Sequence, residues 1–186
     1  MIKSINKEVS IITDASVSKD FAVGAYWIGD QNELNELETF SLENDMNLIL
    51  LRDKIKQSIK IITDSNSSST VFEITTVINA LEDAHKNYPN STSINIYTDC
   101  KNIIDLVEKR RVKLEWSGFK NKKGVLINNS ELYKELFSLL NPIPTKFIKI
   151  KGHCKQTDRE NIEQCIFDCV DKLCRKKLRE DKVEKN

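Results

Sequence analysis

A chain of 186 residues carrying 29 Lys and Arg against 28 Asp and Glu has a formal charge of +1, so no whole-molecule field advertises a polyanionic partner. Apolar residues make up 39% and charged residues 31%, with 5 Gly and 3 Pro, a composition that excludes collagenous and low-complexity classes and fits a soluble globular protein. Val9–Thr13 and Phe21–Ile28 are short β-rich runs separated by a polar stretch from Asp14 to Asp20, which reads as a strand, a connection and an antiparallel return. Three segments, Leu37–Leu42, Leu48–Arg52 and Ser58–Thr63, each qualify as the third strand of a meander, the others then being an insertion within about 30–68.

The cap-rich loop Asp64–Thr70 precedes apolar residues at Val71, Ile74, Ile78 and Leu81, the stripe of an amphipathic helix that ends near Pro89. Ile94–Thr98 reads as a strand, and Asn102–Arg111 as a helix with Ile103, Leu106 and Val107 inward. Glu131–Leu140 is a further helix, stopped by Asn141–Pro144, and Lys146–Ile150 a last short strand. Thr157-Asp-Arg-Glu160 has the form of a capping box opening a long helix through Ile162, Ile166, Cys169 and Leu173, with a basic helical tail after about 176. This order predicts an α/β fold: a mixed sheet with helices packed on it, in a single domain over 1–186.

No run approaches the roughly 18 apolar residues of a spanning helix, and the opening lacks the basic start and apolar core of a leader. The expected location is cytoplasmic, with no membrane partner. Cysteines at 100, 154, 165, 169 and 174 form no CxxC pair and there are 2 His, which argues against zinc or a disulfide framework. Cys165, Cys169 and Cys174 are spaced as buried small residues of one helix.

Charge is unevenly laid out. Asp30, Glu33, Glu36, Glu38, Glu43 and Asp45 lie in a stretch with no base, whereas Lys101, Lys109, Arg110, Arg111, Lys113, Lys120, Lys122 and Lys123 face only Asp105, Glu108 and Glu115. A local basic surface is therefore available, with Trp116 and Phe119 interleaved. Burial of Trp116 against the domain is the other reading.

The runs Val9–Asp14 and Ile94–Asp99 both close on Thr-Asp. If these strands lie adjacent and parallel, a spacing of about 4.8 Å brings both carboxylates to one sheet edge, the edge where open α/β sheets gather ligands. Alternatively each Asp caps the element that follows it. Glu73 falls in the first turn of its helix, where Thr70-x-x-Glu73 also has capping-box form. Asp168 and Asp171 sit in an apolar helical run where a buried carboxylate is costly without a partner.

With these four carboxylates the chain resembles the type 1 ribonucleases H, from about Glu8 to Arg179. The matching motifs are Ile12-Thr-Asp-Ala-Ser16, Gly24-Ala-Tyr26, Ser69-Thr-Val-Phe-Glu-Ile74 with Ala80-Leu-Glu82, and Tyr97-Thr-Asp99. Further along come Asn129-Ser-Glu-Leu-Tyr133, Ile150-Lys-Gly-His153 and Val170-Asp-Lys-Leu-Cys-Arg175. The resemblance implies a ribonuclease H-like fold: a five-stranded mixed sheet, three strands antiparallel and the rest parallel, with helices on both faces. It also implies cleavage of the RNA strand of an RNA–DNA hybrid.

On the resemblance, Asp14, Glu73, Asp99 and Asp171 carry the metal, with His153 assisting proton movement or product departure, and Asp168 a rival for the fourth place. Four acids at a sheet edge suit Mg²⁺, in two ions with Mn²⁺ as substitute. Ser16, Ser69, Thr70 and Lys101 are expected against the substrate, and Lys109–Lys123 stands where the family has a basic substrate-handling protrusion. Ala15 replaces the family's usual Gly, Cys100-Lys101 its Ser-Gln, and Ser69-Thr70 its asparagines, and the interval from His153 to Asp171 is longer than usual. A monomer is favoured. The alternatives are a non-catalytic nucleic-acid-binding module of the same fold, or a related nuclease acting on another polynucleotide.

Overall fold

The computed structural model describes residues 8–43, 48–65, 67–152 and 161–183. Among these, the strands form one sheet of five in the order β3-β2-β1-β4-β5. β1 (Glu8–Val17) pairs antiparallel with β2 (Ala22–Asp30), and β2 pairs antiparallel with β3 (Lys60–Asp64). On its other side β1 pairs in parallel with β4 (Ser93–Thr98), which pairs in parallel with β5 (Thr145–Lys149). This is the mixed five-stranded sheet that the resemblance implies.

Alternation along the strands splits the core in two. Val9 and Ile11 of β1, Tyr26 of β2 and Ile94 and Ile96 of β4 point to one face. There they meet α3 (Ser69–Asn87) and α6 (Ser130–Leu140) through Ile74, Val77, Leu81, Leu136 and Phe137. Ile12 of β1 and Val23, Ala25 and Trp27 of β2 point to the opposite face, onto α7 (Ile162–Val183) through Ile162, Ile166, Phe167 and Val170. Helices therefore cover both faces.

Of the three segments open as third strand, 60–64 takes that place. Leu37–Leu42 lies within α1 (Gln31–Glu43) and Leu48–Arg52 within α2 (Leu48–Ser58). The reason is spacing: Leu34 and Leu37, and Leu51 and Ile55, stand three and four residues apart, and all four join the α7 side of the core. The acidic stretch thus forms a helix as far as Glu43, its apolar side covering that core while Glu33, Glu36 and Glu38 face solvent; Asp45 lies outside the described residues.

Two boundaries differ from expectation. Asp14 does not end its strand, because β2 goes on pairing β1 from Asp14↔Ala25 to Val17↔Ala22 while the parallel partner β4 stops at Ile12↔Tyr97. The helix expected over 102–111 extends further: α4 (Lys101–Asp105) passes through a π-helical turn (Leu106–Arg110) into α5 (Arg111–Trp116). Beyond it Phe119 is buried, stacking 6.0 Å from Phe137, whereas Trp116 is 93% exposed. Burial of Trp116 is not what the chain adopts, because Phe119 fills the core position beside it.

Candidate active site

β1 and β4 part company just before their carboxylates. The last paired residues are Ile12 and Tyr97, and the same offset carried two residues on sets Asp14 beside Asp99. Asp14 is held by continued pairing with β2, and Asp99 by the turn in which the Cys100 N–H donates to Thr98 Oγ1 at 3.1 Å. Glu73 comes from the first turns of α3. That helix begins at Ser69 after Ser68, with no side-chain capping bond, so Glu73 is not spent on a capping box. It is buried and turned toward the two aspartates.

Burial and neighbouring charge act on two of the three groups. Burial, followed by the negative charge of Asp99, pushes the Asp14 carboxyl up to about 7. Burial, then Asp14 and Asp99, pushes Glu73 up to about 8. The thiol of Cys174 lies among them, donating to the Asp14 carbonyl oxygen at 3.3 Å, and burial with both acids raises it as well. Cys100, half-buried, is raised by burial and by Glu73. Neither thiol is poised as a nucleophile.

Two glycines make this convergence sterically feasible. A Cβ on Gly24 would lie 2.1 Å from Thr76 Oγ1, so β2 and α3 touch backbone to side chain at a point one helical turn after Glu73. A Cβ on Gly152 would lie 2.4 Å from Asp99 Oδ2. β5 brings Gly152 there: the Ile150 N–H donates to the Thr98 carbonyl, continuing the sheet, and Gln164 Nε2 donates to the Lys151 carbonyl at 2.8 Å from α7. Both glycines lie in motifs shared with the family, but the residues they must admit are remote in the chain.

The two candidate acids of α7 have different partners. Asp168 accepts from Arg52 of α2 at 3.3 Å and from Lys172 at 2.8 Å. Asp171, buried, pairs with Arg175 one turn later, and the Arg175 charge also acts on Asp14. Ser16 is half-buried near the end of β1, Ser69 and Thr70 open α3, and Lys101 is exposed at the start of α4. His153 and the 157–160 capping box lie outside the described residues.

The donor set is all carboxylate oxygen, which matches the preference of a hard divalent cation. Among the described residues no three His, Cys, Asp or Glu side chains converge tightly enough to enclose one ion, an arrangement in keeping with repulsion between like charges and with Arg175 holding Asp171.

A model of the RNase H family matches residues 6–178. The chain belongs to the RNase H family. Among solved structures, this RNase H chain is similar to LC9-RNase H1, described as a type 1 RNase H with the type 2 active-site motif. Identity is 13%, over 90% of this chain and 70% of that one, with a TM-score of 0.60. It is also similar to prototype foamy virus protease-reverse transcriptase, at 18% identity over 95% of this chain and 21% of that one, TM-score 0.62. A foamy viral protease-reverse transcriptase in complex with dsDNA matches at 11% identity over 91% and 94%, TM-score 0.56. At these identities the likeness is one of fold. No curated protein matches the chain.

Proposed function

We propose that this RNase H chain is a divalent-metal-dependent endoribonuclease that cleaves the RNA strand of RNA–DNA hybrids. The observation that carries the reading is that β1, α3 and the end of β4 bring Asp14, Glu73 and Asp99 within electrostatic reach, with Asp14 and Glu73 buried and raised by the neighbouring acids. Capping needs no such convergence. Asp14, Glu73 and Asp99, with Asp171 from α7, would hold two Mg²⁺ or Mn²⁺ ions. When bound, the ions supply activation of the attacking water and stabilisation of the leaving 3′-oxygen.

The chain's own residues do the remaining work. Asp14 and Glu73 must surrender any proton before binding a cation, so occupancy rises with pH up to about 8. Gly152 fixes how closely the loop before His153 approaches Asp99, and His153 is assigned proton transfer at the departing oxygen. Ser16, Ser69 and Thr70 lie on the elements that carry Asp14 and Glu73, and Lys101 opens the helix that follows Asp99; all four are assigned contacts with 2′-hydroxyls and phosphates, which read an A-like duplex by shape. Lys113, Lys120, Lys122 and Lys123, all exposed around Trp116, supply backbone neutralisation.

The decisive assay incubates labelled hybrid, duplex DNA, duplex RNA and single strands with and without Mg²⁺ or Mn²⁺. The expected result is metal-dependent cleavage confined to the RNA of the hybrid and lost in Asp99→Asn. A hybrid that survives both ions, though still bound, points to a binding module, and cleavage of another polynucleotide to a related nuclease.

A further inference from the structure

The carboxylate cluster has a cation of its own. Arg175 stands four residues after Asp171 on α7, so the two project from one face of the helix. Its guanidinium donates to Asp171 Oδ2, and its charge reaches Asp14 on the neighbouring strand. The Asp171 side chain is 9% exposed and that of Arg175 38%, so a half-exposed guanidinium pairs with a buried acid. The other acid of the helix, Asp168, draws its cations from α2 and from Lys172.

We propose that Arg175 is the built-in counter-ion of this cluster, and that a divalent cation engaging Asp171 displaces it, so that Arg175 is a positioning residue that sets the metal affinity of the site. The inference rests on the metal-dependent reading above. The physical reason is exclusion: lone pairs that Asp171 gives to a guanidinium are not given to a metal, and a fixed positive charge beside a divalent one repels it. Displacement or substitution of the guanidinium relieves the competition.

The test is Mn²⁺ binding to the full chain, followed by the loss of the free-ion electron paramagnetic resonance signal, in wild type, Arg175→Gln, Arg175→Lys and Asp99→Asn. Removing the charge should tighten binding at least about five-fold in Arg175→Gln, whereas Arg175→Lys, which keeps the charge, stays within about two-fold of wild type. A merely structural role would weaken binding in both. In parallel, the Arg175 side-chain N–H resonance should move on addition of Mg²⁺ to the wild type and not to Asp171→Asn. Equal or weaker Mn²⁺ affinity in Arg175→Gln overturns the inference. Where that variant does not fold, a wild-type Arg175 resonance that Mg²⁺ leaves in place overturns it instead. A wild type that takes up no Mn²⁺, or whose uptake survives Asp99→Asn, refutes the metal-dependent reading itself, and the inference falls with it.

Discussion

Gly152 and Asp99 are matched so closely that one added carbon on Gly152 would come within 2.4 Å of the Asp99 carboxylate oxygen Oδ2. The clash is with the end of a side chain, so the chain relieves it by turning Asp99 away and keeps its fold. Gly152→Ala should therefore cost less than about 1 kcal/mol in urea unfolding yet lower hybrid cleavage at least about ten-fold. Full activity in this variant would show that Asp99 need not hold its present position.

Gly24→Ala has the opposite signature. Its new carbon would meet Thr76 Oγ1 at 2.1 Å and Ile62 Cγ1 at 3.1 Å, inside the layer between β2 and α3. Overpacking of this kind costs about 1–3 kcal/mol and displaces the helix that carries Glu73. Thermal unfolding and cleavage should both suffer. Thr76→Ser, which removes only a methyl, does not rescue it, whereas Thr76→Ala does in part.

Without added metal, stability should fall as pH rises. Asp14 and Glu73 titrate near 7 and 8 when folded, above their ordinary values of 3.8 and 4.5. The native state therefore holds protons that the unfolded chain has lost between about pH 4 and pH 8, and stability present below that window is lost through it. Asp14→Asn, which carries no charge there, should be more stable than wild type at pH 8 by about 1–3 kcal/mol in denaturant melts, and equal to it near pH 4. A wild type as stable at pH 8 as at pH 5, relative to Asp14→Asn, would contradict the burial of these charges.

The two acids of α7 should separate cleanly. Asp171→Asn lowers hybrid cleavage at least about a hundred-fold if it is the fourth ligand. Asp168→Asn gives up its ion pairs to Arg52 and Lys172, which costs about 1 kcal/mol of stability and leaves the rate within about two-fold of wild type. The reverse pattern would transfer the ligand role to Asp168.

Replacing Lys120, Lys122 and Lys123 by Gln should weaken hybrid binding and reduce the slope of log affinity against log salt by roughly 2–3, about 0.7–0.9 for each phosphate that is no longer neutralised. Trp116→Ala should weaken binding while leaving that slope unchanged, because stacking releases no counter-ion. Fluorescence anisotropy at several salt concentrations distinguishes the two.

How far the sequence reached depended on whether a signal was local. The β-rich runs Val9–Thr13 and Ile94–Thr98, each followed by Asp, were enough to predict two strands; that they lie side by side was conditional, capping remained open, and the four-acid set came with the family resemblance. The end of β1 was not legible, since it is decided by β2, which keeps pairing to Val17. Nor could Leu37–Leu42 and Leu48–Arg52 be told from strands, because short apolar runs take their conformation from the surface they cover, here α7. Gly24, Gly152 and Arg175 stood in family-like motifs without roles: what each must admit or neutralise lies on another element or another turn. Trp116 and Phe119 looked interchangeable, and only packing against Phe137 separates the buried ring from the exposed one.

The sheet divides the apolar core into two clusters, and the four acids do not belong to one of them. Asp14 and Asp99 come from the sheet, one within β1 and one just after β4, Glu73 arrives with the α3 layer and Asp171 with the α7 layer. Each layer is a natural unit of sub-global opening. Detachment of either one removes an acid from the set while leaving the other half of the protein folded. On the proposed function, cleavage is thus conditional on complete assembly: a nascent or partly opened chain would lack the full set of carboxylates assigned to it. Native-state hydrogen exchange should find the openings of α3 and α7 each coupled to loss of cleavage.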